Sequence, residues 1–344
     1  MDAFFVSVEI RDNPALANKP VAVGGKSDRR GVLSTCNYIA RQYGVSSAMP
    51  TSVALRKCPD LVVVPGRMQV YKETSQIIRG VFEQYTDKIE PLSLDEAYLD
   101  VTESPLHQGS ATLIAEDIRH KIFEATGLTA SAGIAPLKFV AKVASDLNKP
   151  NGQCTIAPEQ IYDFLESLSL KKIPGVGKVT FEKLKALGFV TCGDIRQSTL
   201  PYLSSKFGKY GNVLWQRAHG IDNRDVQVSR IRKSVGVERT FEQDIDNALD
   251  LKSIINDKLM PELKRRSEPY LSTRRMNKLG VKVKFNDFQQ TTKEQKATEI
   301  SFVLLEQLLE EAIERGKGKS IRLLGVHIGL SDEEVNEQQL GFDL

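Results

Sequence analysis

The chain has 344 residues, 41% of them hydrophobic and 26% charged, with a net charge of +3; that is the make-up of a globular protein too long for one core, so several domains are expected. Four scattered cysteines (Cys36, Cys58, Cys154, Cys192) with no C-x-x-C, and four histidines without ligand spacing, argue against structural zinc and for a reducing, cytoplasmic setting. No apolar run is long enough to cross a membrane, and "MDAFFVSVEIRD" meets charge too early for a signal peptide.

In chain order, Phe4, Phe5, Val6, Val8 and Ile10 open a helix or short strand that stops near "RDNPAL". Strand candidates "PVAVGG" and "RGVLSTCNY" then alternate with helical "IARQYG" and "TSVALRKC" up to residue 66. From 67 to 157 come a helix from Tyr71 to Tyr85, a hairpin, a helix from Ala111 to Ala125, a strand "LTASAGIA" and a helix "LKFVAKVASDLNK" closed by "PNG". This order predicts an α+β layer with helices on one face of a largely antiparallel sheet. Residues 158–223 read as short helices punctuated by glycines, and "DNRDVQVSRIRK" as a polar linker. Beyond it, "SVGVERTF", a helix from Asn247 to Ser267, "LGVKVKF", "QQTTKEQKAT", a helix from Phe302 to Arg315 and "IRLLGVHIGL" predict a separate small α+β domain. Residues 226–330 hold 20 Lys/Arg against 15 Asp/Glu, whereas 331–344 hold five acids and no base. A mildly basic body with an acidic tail suits a polyanionic partner.

Chemistry concentrates in "IEPLSLDEAYLDVT", residues 89–102, where Asp95 and Glu96 interrupt an alternating strand pattern. A carboxylate pair repels itself and loses hydration on burial, so it sits either at a solvated turn or where a cation compensates it. At a hairpin tip two neighbours can face one site, which a continuous strand forbids. Mg²⁺ suits such a site, because it binds through one or two carboxylates plus substrate phosphates. "STCNYIAR" offers Thr35, Tyr38 and Arg41, the last two on one helical face, and "AKVASDLNKPNG" offers Lys142 and Lys149; with the carboxylates they would bind a metal triphosphate. Arg29, Arg30 and Arg67 read as solvated. In "KIPGVGKVTFEKLKALGF" a Gly-x-Gly turn leaves free backbone N–H groups at a helix start, beside Lys178. That is either an ordinary helix turn or, with "LGF" and "TCGDI" following, a helix-hairpin-helix holding the DNA backbone through Gly175, Gly177 and Lys178.

"FFVSVE", "NYIARQYGV", "AMP", "YKETS", "IEPLSLDEAYLDVT", "SAGIAPLKFVAKVASDLNKPNG", "IPGVGK" and "RKSVGVERTF", in this order along the whole chain, resemble the Y-family translesion DNA polymerases, their bacterial branch in particular. The resemblance implies an α+β multidomain right-hand polymerase: palm (1–10 and 67–157), small fingers (11–66), helix-hairpin-helix thumb (158–223), linker (224–232), little finger (233–331) and a clamp-binding tail (332–344). It implies template-directed, low-fidelity transfer from dNTP to a primer 3′-hydroxyl by two Mg²⁺ ions, in a monomer acting on primer–template DNA. Family roles fall on Asp95 and Glu96 as catalytic carboxylates and metal ligands with the Met1 carbonyl, on Phe5 as the gate against ribose, and on Thr35, Tyr38, Arg41 and Lys149 at the triphosphate. The tail "NEQQLGFDL" resembles the family's sliding-clamp peptide through Gln339, Leu340, Phe342 and Leu344; as bare sequence it is a disordered acidic tail.

One departure stands out. The family places a metal-binding aspartate at the end of a strand just before the residue matching Met1, and Asp2 matches the next acidic position of that motif instead. The expectation is therefore that the natural protein has several more residues ending in an aspartate, and that the chain as written binds DNA but polymerises poorly. A catalytically impaired DNA- and clamp-binding scaffold and a nucleotidyl cyclase are the alternative readings; the cyclase would need neither the helix-hairpin-helix nor the clamp peptide.

Overall fold

The computed structural model describes residues 1–334, in two compact units. The first comprises Met1–Gly24, Leu33–Met49 and Ala54–Ser229; the second comprises Gly25–Val32, Pro50–Val53 and the chain from Arg230 on.

The first unit opens on α1 (Phe4–Asp12), which buries Phe4, Val6 and Val8 and ends at Asn13, whose side chain caps the following Pro14 turn. Strands β1 (Val21–Gly24), β2 (Leu33–Cys36) and β3 (Val62–Val64) form a sheet in the order β2-β1-β3, antiparallel on one side of β1 and parallel on the other. Between β2 and β3 lie α2 (Tyr38–Gln42), started by the Asn37 side chain accepting from Ala40 N, and α3 (Thr51–Lys57). Helices α4 (Met68–Phe82) and α5 (Ala111–Thr126) share a core of Tyr71, Ile78, Val81, Ile114, Ile118 and Ile122. Between them stand β4 (Ile89–Pro91) and β5 (Ala97–Leu99), an antiparallel hairpin. After them come β6 (Ala132–Ile134), α6 (Lys138–Ala144) and β7 (Gln153–Thr155), with β6 and β7 parallel because a helix connects them. Gly133 lets α6 lie directly on β6: a Cβ there would stand 1.9 Å from Ala141 O.

The single, largely antiparallel sheet expected over this segment is instead two separate two-stranded ladders, one of them parallel. Met1 and Asp2 bridge the two ladders. The Met1 amino group donates to Asp95 O at 2.9 Å, and Asp2 N donates to Thr129 O at 3.1 Å. Arg67 is not a solvated residue either. Its guanidinium bonds Glu9 (2.9 Å) and Asp12 (2.7 Å), and Glu9 also accepts from the buried Tyr71 hydroxyl at 2.6 Å, tying α1 to α4. The partners lie more than fifty residues apart, beyond the reach of local pattern.

The unit closes with α7 (Ile161–Glu166), α8 (Lys178–Ala186), α9 (Cys192–Arg196), α10 (Leu200–Phe207) and α11 (Lys209–Ala218), around Leu165, Leu170, Leu184, Ile195, Leu203 and Leu214. The chain leaving α11 is anchored. Asp222, its side chain almost wholly buried, accepts from Phe139 N, Arg217 and the Nε–Nη2 edge of Arg224, while Glu90 on β4 accepts from Lys138 and Gln227 N.

In the second unit β8 (Ser234–Ile245), β9 (Arg274–Phe285), β10 (Gln290–Lys296) and β11 (Ile321–Glu334) form an antiparallel sheet in the order β10-β9-β11-β8. Helices α12 (Ala248–Ile254), α13 (Met260–Leu271) and α14 (Phe302–Glu314) cover one face over Leu279, Val281, Val283, Leu324, Val326 and Ile328. The continuous helix expected from Asn247 to Ser267 is interrupted by a π turn at Ile255–Leu259. Pro261, at the start of α13, has no N–H for the carbonyl four residues earlier, so the ladder widens just before it. Arg29 and Arg30 are also paired within this unit, to Glu242 (3.2 Å) and Asp244 (2.5 Å).

The Asp222 cluster carries a pH signature. Burial alone would raise this carboxyl, but the hydrogen bond of Arg224 and the charges of Arg217 and Arg224 outweigh it, so Asp222 titrates below its ordinary range. Such a group stabilises the fold above its unfolded pKa and loses that contribution as pH falls through the folded value. Asp222→Asn is expected to cost about 3 kcal/mol near neutral pH, and the gap to wild type to close as pH drops below about 4. Denaturant unfolding at pH 7 and pH 3 measures it; a gap that does not narrow would assign the cost to packing.

Candidate active site

The β4–β5 ladder ends at Pro91 and Ala97, leaving residues 92–96 as the turn. Leu92 N and Ser93 N both donate to Glu96 O (2.9 and 3.3 Å), the Ser93 hydroxyl donates to Asp95 Oδ1 (2.9 Å), and Ser75 on α4 holds Leu94 O. Because the turn breaks strand alternation, Asp95 and Glu96 both reach solvent, with side chains 28% and 43% exposed. The pair borders a cleft of about 930 Å³ lined by β5, α5, β6, α6 and residues 222–226.

Cations offset the repulsion. Lys142 on α6 stands 2.9 Å from Glu96, and the Met1 ammonium 3.9 Å from Asp95 Oδ2. Burial works against ionisation of Glu96, yet the hydrogen bond and charge of Lys142, with the Met1 ammonium and Lys149 behind it, hold its pKa below the usual carboxylate range. Burial likewise lowers the pKa of the Met1 amine, against the pull of Asp95. Two accessible carboxylates fit a hard divalent ion that completes its shell with phosphate and water. Among the described residues no group of three His, Cys, Asp or Glu side chains gathers around a metal site. Asp2 does not supply the third: it is 3% exposed and already accepts from Ser131 Oγ (2.7 Å) and Asn151 N (2.8 Å). The Met1 carbonyl accepts from Lys149 Nζ at 3.2 Å.

Arg41 lies over the Tyr38 ring, 4.6 Å from its centre, and the Tyr38 hydroxyl is buried without a hydrogen-bond partner. Burial, then the negative charge of Asp2, raises the pKa of the Tyr38 phenol. Thr35 is half-buried on β2. Phe4 is core, whereas Phe5 is half-buried and stacks on Tyr71 with ring centres 4.2 Å apart.

In the helical part, Gly175 has φ +97°, and a Cβ on it would stand 2.9 Å from the Tyr210 hydroxyl. Gly177 precedes α8, whose first N–H groups have no side-chain cap, and Lys178 is exposed beside them. Every lysine from 171 to 209 (Lys171, Lys172, Lys178, Lys183, Lys185, Lys206, Lys209) lacks an ion-pair partner among the described residues, while Arg196 and Arg217 are paired. Lys183, Lys206 and Thr180 line a recess of about 400 Å³ beside Gly175 that the sequence reading missed; the signal was Thr180 and Lys183, three apart on one helical face. Gln339, Leu340, Phe342 and Leu344 lie outside the described residues.

Family models match three segments: the impB/mucB/samB family over residues 1–146, the DNA polymerase-iota thumb domain over 171–222, and the impB/mucB/samB family C-terminal domain over 232–342. The chain is 57% identical to the DNA polymerase IV of Shewanella loihica over 97% of its own length and 93% of the relative's. It is 57% identical to that of Shewanella halifaxensis over 100% and 96%. The chain belongs to the Y family of DNA polymerases. Among solved structures, a Y-family DNA polymerase chimera, Dbh-Dpo4(243-245)-Dbh, superposes with a TM-score of 0.83 at 31% identity, covering 95% of this chain and 96% of that one. An insertion ternary complex of Dbh DNA polymerase gives 0.67 at 31%, covering 96% of each. This Y-family polymerase is a DNA-directed nucleotidyltransferase of translesion synthesis with DNA and nucleotide substrates, and its family implies a divalent metal dependence. Among the described residues no helix is long and apolar enough to cross a membrane.

Proposed function

We propose that Asp95 and Glu96 hold Mg²⁺, two ions in the working complex, and that nucleotidyl transfer takes place at this hairpin tip. The observation that carries the reading is the tip itself: two adjacent carboxylates left accessible, with Lys142 closed on Glu96 and holding its pKa low. When bound, the ions supply activation of the primer hydroxyl and neutralisation of the departing pyrophosphate. The Met1 carbonyl adds an oxygen ligand. Thr35, Tyr38, Arg41 and Lys149 bind the triphosphate, where Arg41 and Lys149 share its charge and the free Tyr38 hydroxyl donates to it. Phe5, braced on Tyr71, presents a flat ring to the sugar and excludes a 2′-hydroxyl.

The arrangement of palm (1–10, 67–157), fingers (11–66), thumb (158–223) and little finger (233–331) follows from these roles. Gly175, Gly177 and Lys178 hold duplex phosphates without reading sequence, which suits a segment whose lysines are all unpaired. Of the short residues of the fingers, Cys36 and Ala40 are core and cannot reach a base pair, while Ser34 is exposed on β2 and would press only lightly on the nascent pair, so damaged templates pass. The tail binds a sliding clamp through Gln339, Leu340, Phe342 and Leu344, and the enzyme works as a cytoplasmic monomer.

Asp95→Asn or Glu96→Gln is expected to abolish primer extension with primer–template affinity near normal, while Lys178→Ala weakens that affinity and lowers its salt slope by about one. Comparable extension by either carboxylate variant would remove the assignment. Phe5→Val is expected to admit ribonucleotides while DNA synthesis persists; unchanged sugar choice in single-nucleotide insertion would make Phe5 core packing alone. Deleting residues 339–344 is expected to leave distributive synthesis intact and remove stimulation by the clamp. Stimulation that survives the deletion places the clamp contact elsewhere.

A further inference from the structure

Lys149 differs from the other lysine of the site. Lys142 is closed onto Glu96 at 2.9 Å, whereas Lys149 Nζ is shared between Met1 O at 3.2 Å, Asp146 at 3.5 Å and Asp2 at 3.9 Å, so it is held in place without being neutralised by one close partner. What holds it is its own turn, residues 148–153. Asn151 sits there in the left-handed region (φ +52°), and Gly152 is so tightly enclosed that a Cβ would stand 2.0 Å from Asn148 O. The Asn148 side chain closes the turn by donating to Gln153 O at 2.8 Å.

Two groups outside the turn hold it. Asp2 Oδ2 accepts from Asn151 N at 2.8 Å, and its Oδ1 accepts from Ser131 Oγ at 2.7 Å. Arg119, on α5, donates through Nη2 to Asn151 O (2.5 Å) and Asn151 Oδ1 (2.9 Å), through Nη1 to Gln153 Oε1 (3.1 Å) and through Nε to Ala130 O (2.9 Å). One guanidinium thus clamps the turn to the β6 entry, with the rigid fork that only arginine supplies. Nothing in this geometry places Arg119 at the reacting atoms.

We propose that Arg119 and Asp2 are positioning residues for the incoming nucleotide, acting through Lys149 by fixing the turn that carries it. The inference rests on the triphosphate role of Lys149. A lysine on a loose turn would reach a phosphate only in a fraction of its conformations, and nucleotide affinity would fall by that fraction.

The test measures the Kd of the next correct dNTP on a dideoxy-terminated primer–template with a templating 2-aminopurine, in Mg²⁺, so that binding is read without turnover. Lys149→Ala and Arg119→Ala are each expected to weaken binding about tenfold, the weight of one charge-assisted hydrogen bond. Arg119→Ala placed on Lys149→Ala is expected to add less than about twofold, because the residue it positions is gone. Asp2→Ala is expected to behave like Arg119→Ala. Arg119→Lys, which keeps charge and bulk, is expected to fall between and serves if the alanine variant does not fold. A destabilised fold lowers the active fraction, not the Kd of the folded remainder, so the readout separates positioning from stability. Arg119→Ala and Arg119→Lys both at wild-type Kd, or a full Arg119→Ala effect surviving in the Lys149→Ala background, would overturn the relay while leaving Lys149 its role. Wild-type affinity in Lys149→Ala alone would overturn that role, and the relay with it.

Discussion

Two carboxylates side by side at the tip of a hairpin are the constraint around which the first unit is arranged. Like charges on adjacent residues raise each other's pKa unless something positive stands near. Here Lys142 on α6 stands 2.9 Å from Glu96, and Lys149 on the turn after it adds a weaker pull. Lys142 must be brought within hydrogen-bond reach of a turn only five residues long. That requirement accounts for Gly133, which lets α6 lie on β6, and for the bond from Ser75 to Leu94 that holds the turn against α4.

Cations serve in two distinct ways in this molecule. Around the hairpin they are matched to acids, and Lys142 holds the pKa of Glu96 below the usual carboxylate range. The lysines of residues 171–209 have no ion-pair partner among the described residues, which leaves a field for a polyanion. A ligand with many phosphates gains from the second arrangement through counterion release, whereas a single metal–triphosphate needs the first.

The chain leaving α11 is fixed by a third kind of charge cluster, one that is buried and complete. Asp222 is bonded on every side, and Glu90, five residues before Asp95 on the same hairpin, accepts from Gln227 N. The base of the acidic hairpin is therefore hydrogen-bonded to the chain leaving α11, and Lys138 donates to both Glu90 and Asp225 O.

Local pattern in the sequence determined a great deal: the helices from 3.6-residue periodicity and Asn or Ser caps, the strands from alternation, the acidic tip from "LSLDEA", and the family from ordered motifs along the chain. Those features depend on neighbours within a turn or a hairpin, which is what a sequence displays. Tertiary structure alone decided that the expected sheet is two ladders bridged by Met1 and Asp2, that Asp2 is engaged with Ser131 and Asn151 instead of reaching a metal, and that Arg67 and Arg119 are structural clamps. Each of these rests on partners from 32 to 149 residues away. A charged residue looks solvated until the fold supplies its counter-charge, because the energy that fixes it lies in a contact that chain order does not encode.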